Sequence, residues 1–412
     1  MKNKLPEGWE WKELLSIIDY QGGSQPPKKE FIYEPKDDYV RLLQIRDFGN
    51  KPFPTYVPDS HKLKKANKGD ILLARYGGAS SSKDSLGRVC EGLEGAYNVA
   101  LAKLIFSDKK LHRDYVKFLF LGPWFLNEIS KNSRSCQSGF NKDDLKGIKF
   151  PIAPLSEQKR IADKLDKLLV KVKDVQTRLD KLPLILKRFR QSIIRMGCSG
   201  VLINSEQEYP MVNFGKLIKK IRGGTTAVPI REVTKFPVLR SSSVRQSFID
   251  YEDVKYLTAE QSKNPDNFIS NGDLLFTRLN GTAEYVGNCA VVFGIKEKTY
   301  QYPDRLYCAQ VLDDILPEYC ELAFSHPEIR LEIENRAKSS AGHKRISITD
   351  VKDVMLPLPS VAEQQQIVGK VRFYFTQIDK IKKRYSNMKL FTDKLEQSIL
   401  AKAFRGELVL QD

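Results

Sequence analysis

No run of about 18 uncharged apolar residues occurs in the 412-residue sequence, which excludes a helical membrane span. The N-terminal MKNKLPEGWEWKE has no apolar core of the kind an export signal needs, so the chain is expected in the cytosol. Six cysteines are present (Cys90, Cys136, Cys198, Cys289, Cys308, Cys320), none in a Cys-x-x-Cys pair, and reduced, partly buried thiols are expected. The four histidines, His61, His112, His326 and His343, have no zinc-ligand spacing. None of the 25 glycines has another two positions away, so the glycine-rich turn that holds a nucleoside cofactor is missing. Gly-Lys-Ser/Thr and His-Glu-x-x-His are missing too. Gln25-Pro26-Pro27-Lys28 lacks the aromatic that would stack on a flipped base and is read as a loop. Pro58-Asp59 with Asp108-Lys109-Lys110 has the bare outline of a nuclease pattern, but such short patterns arise by chance in a lysine-rich chain.

What is present is apolar content, positive charge and repetition. Hydrophobic residues make up 41%, with 21 Phe and 17 Tyr, enough to bury sizeable cores and to exclude whole-chain disorder. At about 150 residues per domain the length implies two to three domains. The net charge of +17 favours an anionic partner, of which nucleic acid is the commonest. The excess is uneven: 26 basic against 19 acidic residues in 1–153, and 12 against 5 in 154–203. Residues 204–359 carry 20 against 21, and 360–412 carry 10 against 6.

The chain repeats itself. Pro154-Leu155-Ser156-Glu157-Gln158 resembles Ser360-Val361-Ala362-Glu363-Gln364 at an offset of 206, which holds without a gap to Gly200 and Gly406. Gly69-Asp70-Ile71-Leu72-Leu73-Ala74-Arg75 resembles Gly272-Asp273-Leu274-Leu275-Phe276-Thr277-Arg278 at 203, and Gly22-Gly23 matches Gly223-Gly224 at 201. Loop insertions inside a duplicated unit produce such a drift. The order is module, spacer, module, spacer, divided as 1–153, 154–203, 204–358 and 359–412.

Each spacer carries an apolar seam at alternating steps of four and three. It runs from Ile161 through Leu165, Leu168, Val172 and on to Met196, and from Ile367 through Val371, Tyr374, Ile378 and on to Ile399. Ser360 and Glu363 fit a capping box, and Ser156 or a neighbour is expected to cap the first helix. Pro183 is expected to kink or break that helix. Two matched seams with a module between them predict an antiparallel coiled coil, a rod of roughly 60 Å. Runs such as Tyr39–Ile45, Asp70–Ala74, Leu101–Phe106, Phe236–Arg240, Asp273–Thr277 and Cys289–Phe293 read as strands, and Arg113–Ser130 and Leu316–Lys338 as helices. The fold class is therefore α+β, with an internal pseudo-twofold repeat.

KFPIAPLSEQKRIADKL, MLPLPSVAEQQQIVGKV, the closing EQSILAKAFRGELV and the module–helix–module–helix order resemble the specificity subunit of type I restriction–modification enzymes. GDILLARYGGASSSKDSLGRVCEGLEGAYNVALAKLIF is similar to the central segment of that family's target recognition domains. The resemblance covers essentially the whole chain. It implies two target recognition domains, each reading one half of a bipartite double-stranded DNA site. The helical spacers would dock two methyltransferase subunits, and two restriction subunits would join for cleavage. It implies no cofactor in this chain, S-adenosylmethionine belonging to the methyltransferase subunit, and no catalytic residue. Pro183 and the near-neutral second module depart from a simple picture of a straight rod with two basic ends. A cryptic DNA methyltransferase or nuclease, and a coiled-coil interaction scaffold, stand as alternatives.

Residues matched in both modules cannot encode two different half-sites, so Arg75 and Arg278 serve the fold or bind phosphate. The glycine pairs are expected to make turns. Discrimination belongs to unmatched loops carrying side chains that can address base edges. In the first module these are Arg46, Lys83, Arg88, Arg134, Gln137 and Asn141. In the second they are Arg222, Thr225, Arg240, Arg245, Lys344 and Arg345.

Overall fold

The structure is a computed structural model that describes residues 5–49, 52–77, 86–106, 110–132, 138–205, 207–297, 299–340 and 343–410. The chain divides into two compact units, Met1–Asp180 with Ser386–Asp412, and Lys181–Tyr385, so each boundary falls inside a long helix.

The first unit is built on four antiparallel strands in the spatial order Ile18–Gly22, Leu101–Phe106, Ile71–Ala74, Val89–Cys90. All four residues of Ile71–Ala74 are buried, because the strand has a core on each side. Ile71 and Leu73 enter the larger core with Leu104, Val116, Leu119 and Phe150. Leu72 and Ala74 enter a smaller one with Leu43, Tyr97 and Leu101. The smaller core lies under a second sheet, Tyr56–Pro58, Tyr39–Leu43, Gly95–Tyr97 and Lys65–Ala66, whose Leu42–Ala96 pairing is parallel.

The second unit repeats the main sheet strand for strand: Ile218–Gly223, Leu306–Val311, Leu274–Thr277, Cys289–Val291. Leu274 and Phe276 face one core and Leu275 the other, with the same alternation. Beside it the pairings are separate hairpin-like ladders, Pro237–Leu239 with Val254–Tyr256 and Val244–Arg245 with Phe248–Ile249.

Both expected module helices are divided. Arg113–Ser130 becomes Arg113–Leu121 and Pro123–Asn132, and Leu316–Lys338 becomes Pro317–Phe324 and Pro327–Arg336. Pro123 and Pro327 each disfavour a helical residue before them and open the next helix. Pro183 breaks nothing: Leu155–Cys198 is one 44-residue helix. A proline inside a helix costs about 3 kcal/mol. Here it sits on the exposed side while Val172 and Leu186 on the seam are buried, and that packing outweighs the local cost.

The second long helix is Val361–Ala403. In the first unit Gln176 Nε2 donates to Asp393 Oδ1 at 3.3 Å and Lys389 pairs with Asp180 at 2.9 Å, so one helix runs up as the other runs down. In the second unit the Arg190 guanidinium stacks 3.7 Å from the Phe375 ring centre, while Gly197 lies against Ile367 and Val371, again antiparallel. Seam residues Ile161 and Leu165 join Leu400, Ala403 and Phe404 in the first unit's main core. Ile193, Cys198, Ile367 and Val371 do the same in the second.

The duplicated Glu-Gln pair ties each module to its helix. Gln158 accepts from the backbone N–H of His112 at 2.8 Å and donates to the carbonyls of Lys110 and Ala153 at 3.1 and 2.8 Å. Gln364 accepts from Leu316 at 2.7 Å and donates to Asp314 and Pro359, both at 2.9 Å. The preceding glutamates differ. Glu157 is buried and accepts from Trp9 Nε1 at 2.9 Å. Glu363 accepts from Ser205 and Tyr209, and completes the capping box with Ser360. Those hydrogen bonds, Ser360's first, hold its carboxyl below the usual range. Ser156 does not cap the first helix: the Pro154 carbonyl accepts the opening bond from Gln158 N, and Ser156 is exposed inside the first turn. The repeat counterpart of Ser360 is Pro154, which has no side-chain oxygen to form a box, and Glu157, the counterpart of Glu363, is held by Trp9.

Glu321 accepts from the backbone N–H of Val291 at 2.9 Å, and burial pushes its carboxyl up to about 7, against the pull of that bond, Arg372 and Arg190. Since the folded value lies above the unfolded one, its contribution is fully present below pH 4.5 and is lost as pH rises towards 7. Glu321→Gln should therefore flatten the pH dependence of stability between those values. Above pH 7 it should gain ~1–2 kcal/mol, less than the full shift because the side chain is only partly buried. Chemical denaturation at pH 5 and pH 8 measures this, and an unchanged slope would count against it.

Candidate nucleic-acid interface

The two matched arginines occupy matched contacts. Arg75 donates to the carbonyls of Val99 at 3.2 Å and Phe140 at 3.3 Å, with its guanidinium over Tyr20 and Tyr76. Arg278 donates to the Asp304 carbonyl at 3.0 Å and sits over Tyr307. Both brace the loop entering the central strand of the main sheet. The glycine pairs meet the same loops and are not turns. A Cβ on Gly23 would stand 2.1 Å from the Asn98 carbonyl oxygen, and one on Gly224 2.0 Å from that of Tyr302. Glycine is needed there because two backbones touch.

In the first module Arg46 and Arg88 converge on the short helical turn Ile45–Phe48. Arg46 donates to Thr55 Oγ1 at 2.7 Å, and its guanidinium lies 5.1 Å from the Phe53 ring centre. Arg88 donates to the Phe48 carbonyl. Arg41, from the adjacent strand, is neutralised by the buried Asp47 at 3.1 Å. Asn141 lies apart from these: its Oδ1 accepts from Asp143 N at 2.7 Å and Asp144 N at 3.2 Å, opening the turn Asp143–Leu145. Lys83, Arg134 and Gln137 lie outside the described residues.

In the second module Arg222 and Thr225 meet Arg278 around the Tyr302–Asp304 loop. Arg222 is held by Asp266, through both its carboxylate and its carbonyl. Thr225 is buried, with its Oγ1 accepting from Ala227 N at 3.1 Å and its N–H donating to the Tyr302 carbonyl. Arg240 is paired with Asp253 at 2.9 Å. Arg245 stands over Tyr285 and lines a cleft of about 850 Å³ with Gln246, Asn288, Arg330 and, from the first long helix, Lys187 and Arg195. Lys344 and Arg345 lie on His343–Arg345, the middle strand of a three-stranded ladder between Leu279–Asn280 and Lys338–Ser340. Ile346 N donates to the Arg278 carbonyl at 3.1 Å, which sets this ladder beside the framework arginine.

The candidates thus fall into groups. Arg75, Arg278, Thr225 and Asn141 support the backbone, and Arg222 and Arg240 are held by carboxylates. Arg46, Lys344 and Arg345 present cations with no carboxylate partner among the described residues. Sequence reasoning missed the exposed aromatics beside Arg46, Tyr33 and Phe53. Tyr-Glu-Pro and Pro-Phe-Pro in unmatched loops carried the signal, since a large aromatic between prolines has no strand or helix face to enter.

Two copies of one fold, alike in framework and different in exposed cations, define a two-part recognition protein. The pattern described as the type I restriction modification DNA specificity domain matches residues 6–183 and 207–389, and the chain belongs to that family. It is 34% identical to the EcoKI specificity subunit of Escherichia coli K12, over 99% of this chain and 91% of that protein. It is 26% identical to the StySPI specificity subunit of Salmonella potsdam, over 100% and 91%. The fold matches the HsdS subunit of Thermoanaerobacter tengcongensis with a TM-score of 0.61 at 17% identity, over 98% of this chain and 99% of that one. No helix among the described residues is long and apolar enough to cross a membrane.

Proposed function

We propose that this DNA specificity subunit divides its work as the repeat divides the chain. Residues 1–153 and 204–358 are the two target recognition domains, each reading one half of a split, asymmetric DNA site. Residues 154–203 and 359–412 are the spacers that set the unread gap. Duplex DNA has local twofold axes, so two similar modules in equivalent orientation can meet two half-sites. What carries this reading is the contrast within one duplicated fold: the framework contacts of Arg75, Gln158 and Gly23 recur at Arg278, Gln364 and Gly224, while the exposed cations do not. Arg46 in the first module and Lys344 and Arg345 in the second are the foremost base readers, with Arg245, Lys83, Arg134 and Gln137 as further contacts. The chain acts in the cytosol and is non-catalytic. S-adenosylmethionine and the methylating site belong to its methyltransferase subunits, and restriction subunits complete the assembly.

Residues repeated in both halves suit a partner bound twice. Leu184 and Ile185 are each 54% exposed, and Leu390 and Phe391, at the same repeat positions, are 57% and 59% exposed. These apolar pairs off the seam are the docking points of two identical methyltransferase subunits.

Modification-sensitive sequencing of host DNA tests the whole reading. One split adenine-methylation motif should vanish when the gene is deleted, and survival of every motif would overturn it. Arg345→Ala should weaken the assembled complex on one half-site by about tenfold or more, from the 1–3 kcal/mol carried by a base-reading contact. Binding titrations on duplexes altered in either half measure this. Equal loss at both halves would reject the assignment of Arg345.

A further inference from the structure

The first module carries a cation against two exposed rings, where the second module sets Arg245 over the single exposed ring of Tyr285. The Ile32–Tyr56 bridge, with N–H···O bonds of 3.0 and 2.8 Å, brings the 31–33 segment beside 52–56. Tyr33 and Phe53 therefore meet in the open at a 45° tilt, their ring centres 5.1 Å apart at 59% and 51% exposure. Arg46 lies over the Phe53 ring at 5.1 Å, fixed by its bond to Thr55. In the second module the stacked pair outside the main core, Tyr251 and Tyr300, is partly buried.

Two features separate this shelf from an ordinary surface pair. Its cation is held in one orientation yet has no carboxylate partner among the described residues, whereas Arg41 beside it is neutralised by Asp47. The rings remain exposed although burying either would stabilise the fold by about 1.5–3 kcal/mol. In the major groove a guanidinium pairs with the O6 and N7 of guanine, and an apolar face meets the C5-methyl of thymine. A guanidinium edge beside an aromatic face presents both contacts at neighbouring positions.

We infer that Arg46 and Phe53, backed by Tyr33, read a guanine next to a thymine in the half-site of the first module. This rests on the reading of that module as a half-site reader and names the bases it takes.

The test uses the full chain assembled with its methyltransferase subunits and duplexes containing its methylation motif. Each thymine is replaced singly by uracil, which removes only the methyl, and each guanine by 7-deazaguanine, which removes only N7. One uracil substitution should weaken wild-type binding about fourfold, the worth of one buried methyl-sized group. Phe53→Ala should bind more weakly and be indifferent to that substitution. A 7-deazaguanine beside it should weaken the wild type but leave Arg46→Ala unaffected. Substitutions in the other half-site should act equally on all three proteins, which also shows that the variants are folded. Split-site binding that ignores every uracil, or that keeps its uracil sensitivity in Phe53→Ala, overturns this inference alone. A complex that recognises no split site overturns the module reading with it.

Discussion

A chain carrying Leu184→Glu and Ile185→Glu is expected to bind one methyltransferase subunit, against the two proposed for the unaltered chain. Both side chains are exposed on the first long helix, and their repeat partners Leu390 and Phe391 are exposed on the second. Burying an aliphatic side chain contributes about 1.5–3 kcal/mol, so removing two from one interface costs roughly 3 kcal/mol or more, a factor above one hundred in affinity. The charges add a desolvation cost. Leu390→Glu with Phe391→Glu should also leave one subunit bound, and the fourfold variant should leave none. Because these residues lie off the seam, helix content should not change. Native mass spectrometry reads the stoichiometry directly. Two subunits bound to both double variants would show that docking lies elsewhere on the helices.

The second large effect concerns the clamp between module and helix. Gln364→Ala leaves the N–H of Leu316 and the carbonyls of Asp314 and Pro359 without their partner, in a fully buried position. Each unsatisfied buried group costs about 1–3 kcal/mol, and partial access of water to the loop reduces the total to ~3 kcal/mol. For a unit of this size that lowers Tm by roughly 6–12 °C. Gln365→Ala, on an exposed neighbour, should stay within about 0.5 kcal/mol of the unaltered chain. Gln158→Ala should produce a comparable loss in the first unit, where the same three contacts recur. Calorimetry distinguishes the two, since each variant should shift the melting of its own unit. A Gln364→Ala chain that melts with the unaltered protein would mean that the loop rearranges to satisfy itself.

Neither glutamine betrays this role by its type, since glutamine is ordinarily a surface residue. Its recurrence beside glutamate at the same repeat position was the one signal in the sequence for a framework role. Repetition separated framework from discrimination wherever the two copies agreed, as at Arg75 with Arg278 and Gly23 with Gly224. The contacts themselves were not legible, because they join segments far apart in the chain. Nor was it legible that Arg222 and Arg240, both candidate base readers, are paired with Asp266 and Asp253.

By itself the sequence determined the duplication, the α+β class, the two seams and the family. These follow from periodicity and from residues recurring at constant offsets, which are properties of the chain. Folding had to show that Pro183 lies within an unbroken helix, that Pro123 and Pro327 divide the module helices, and that Glu157 is taken by Trp9 while Ser156 stays out of the cap. The tertiary structure also shows which cations have a carboxylate partner among the described residues. A charge is visible in sequence, but whether a carboxylate neutralises it depends on distances set by folding, and electrostatic attraction falls with those distances.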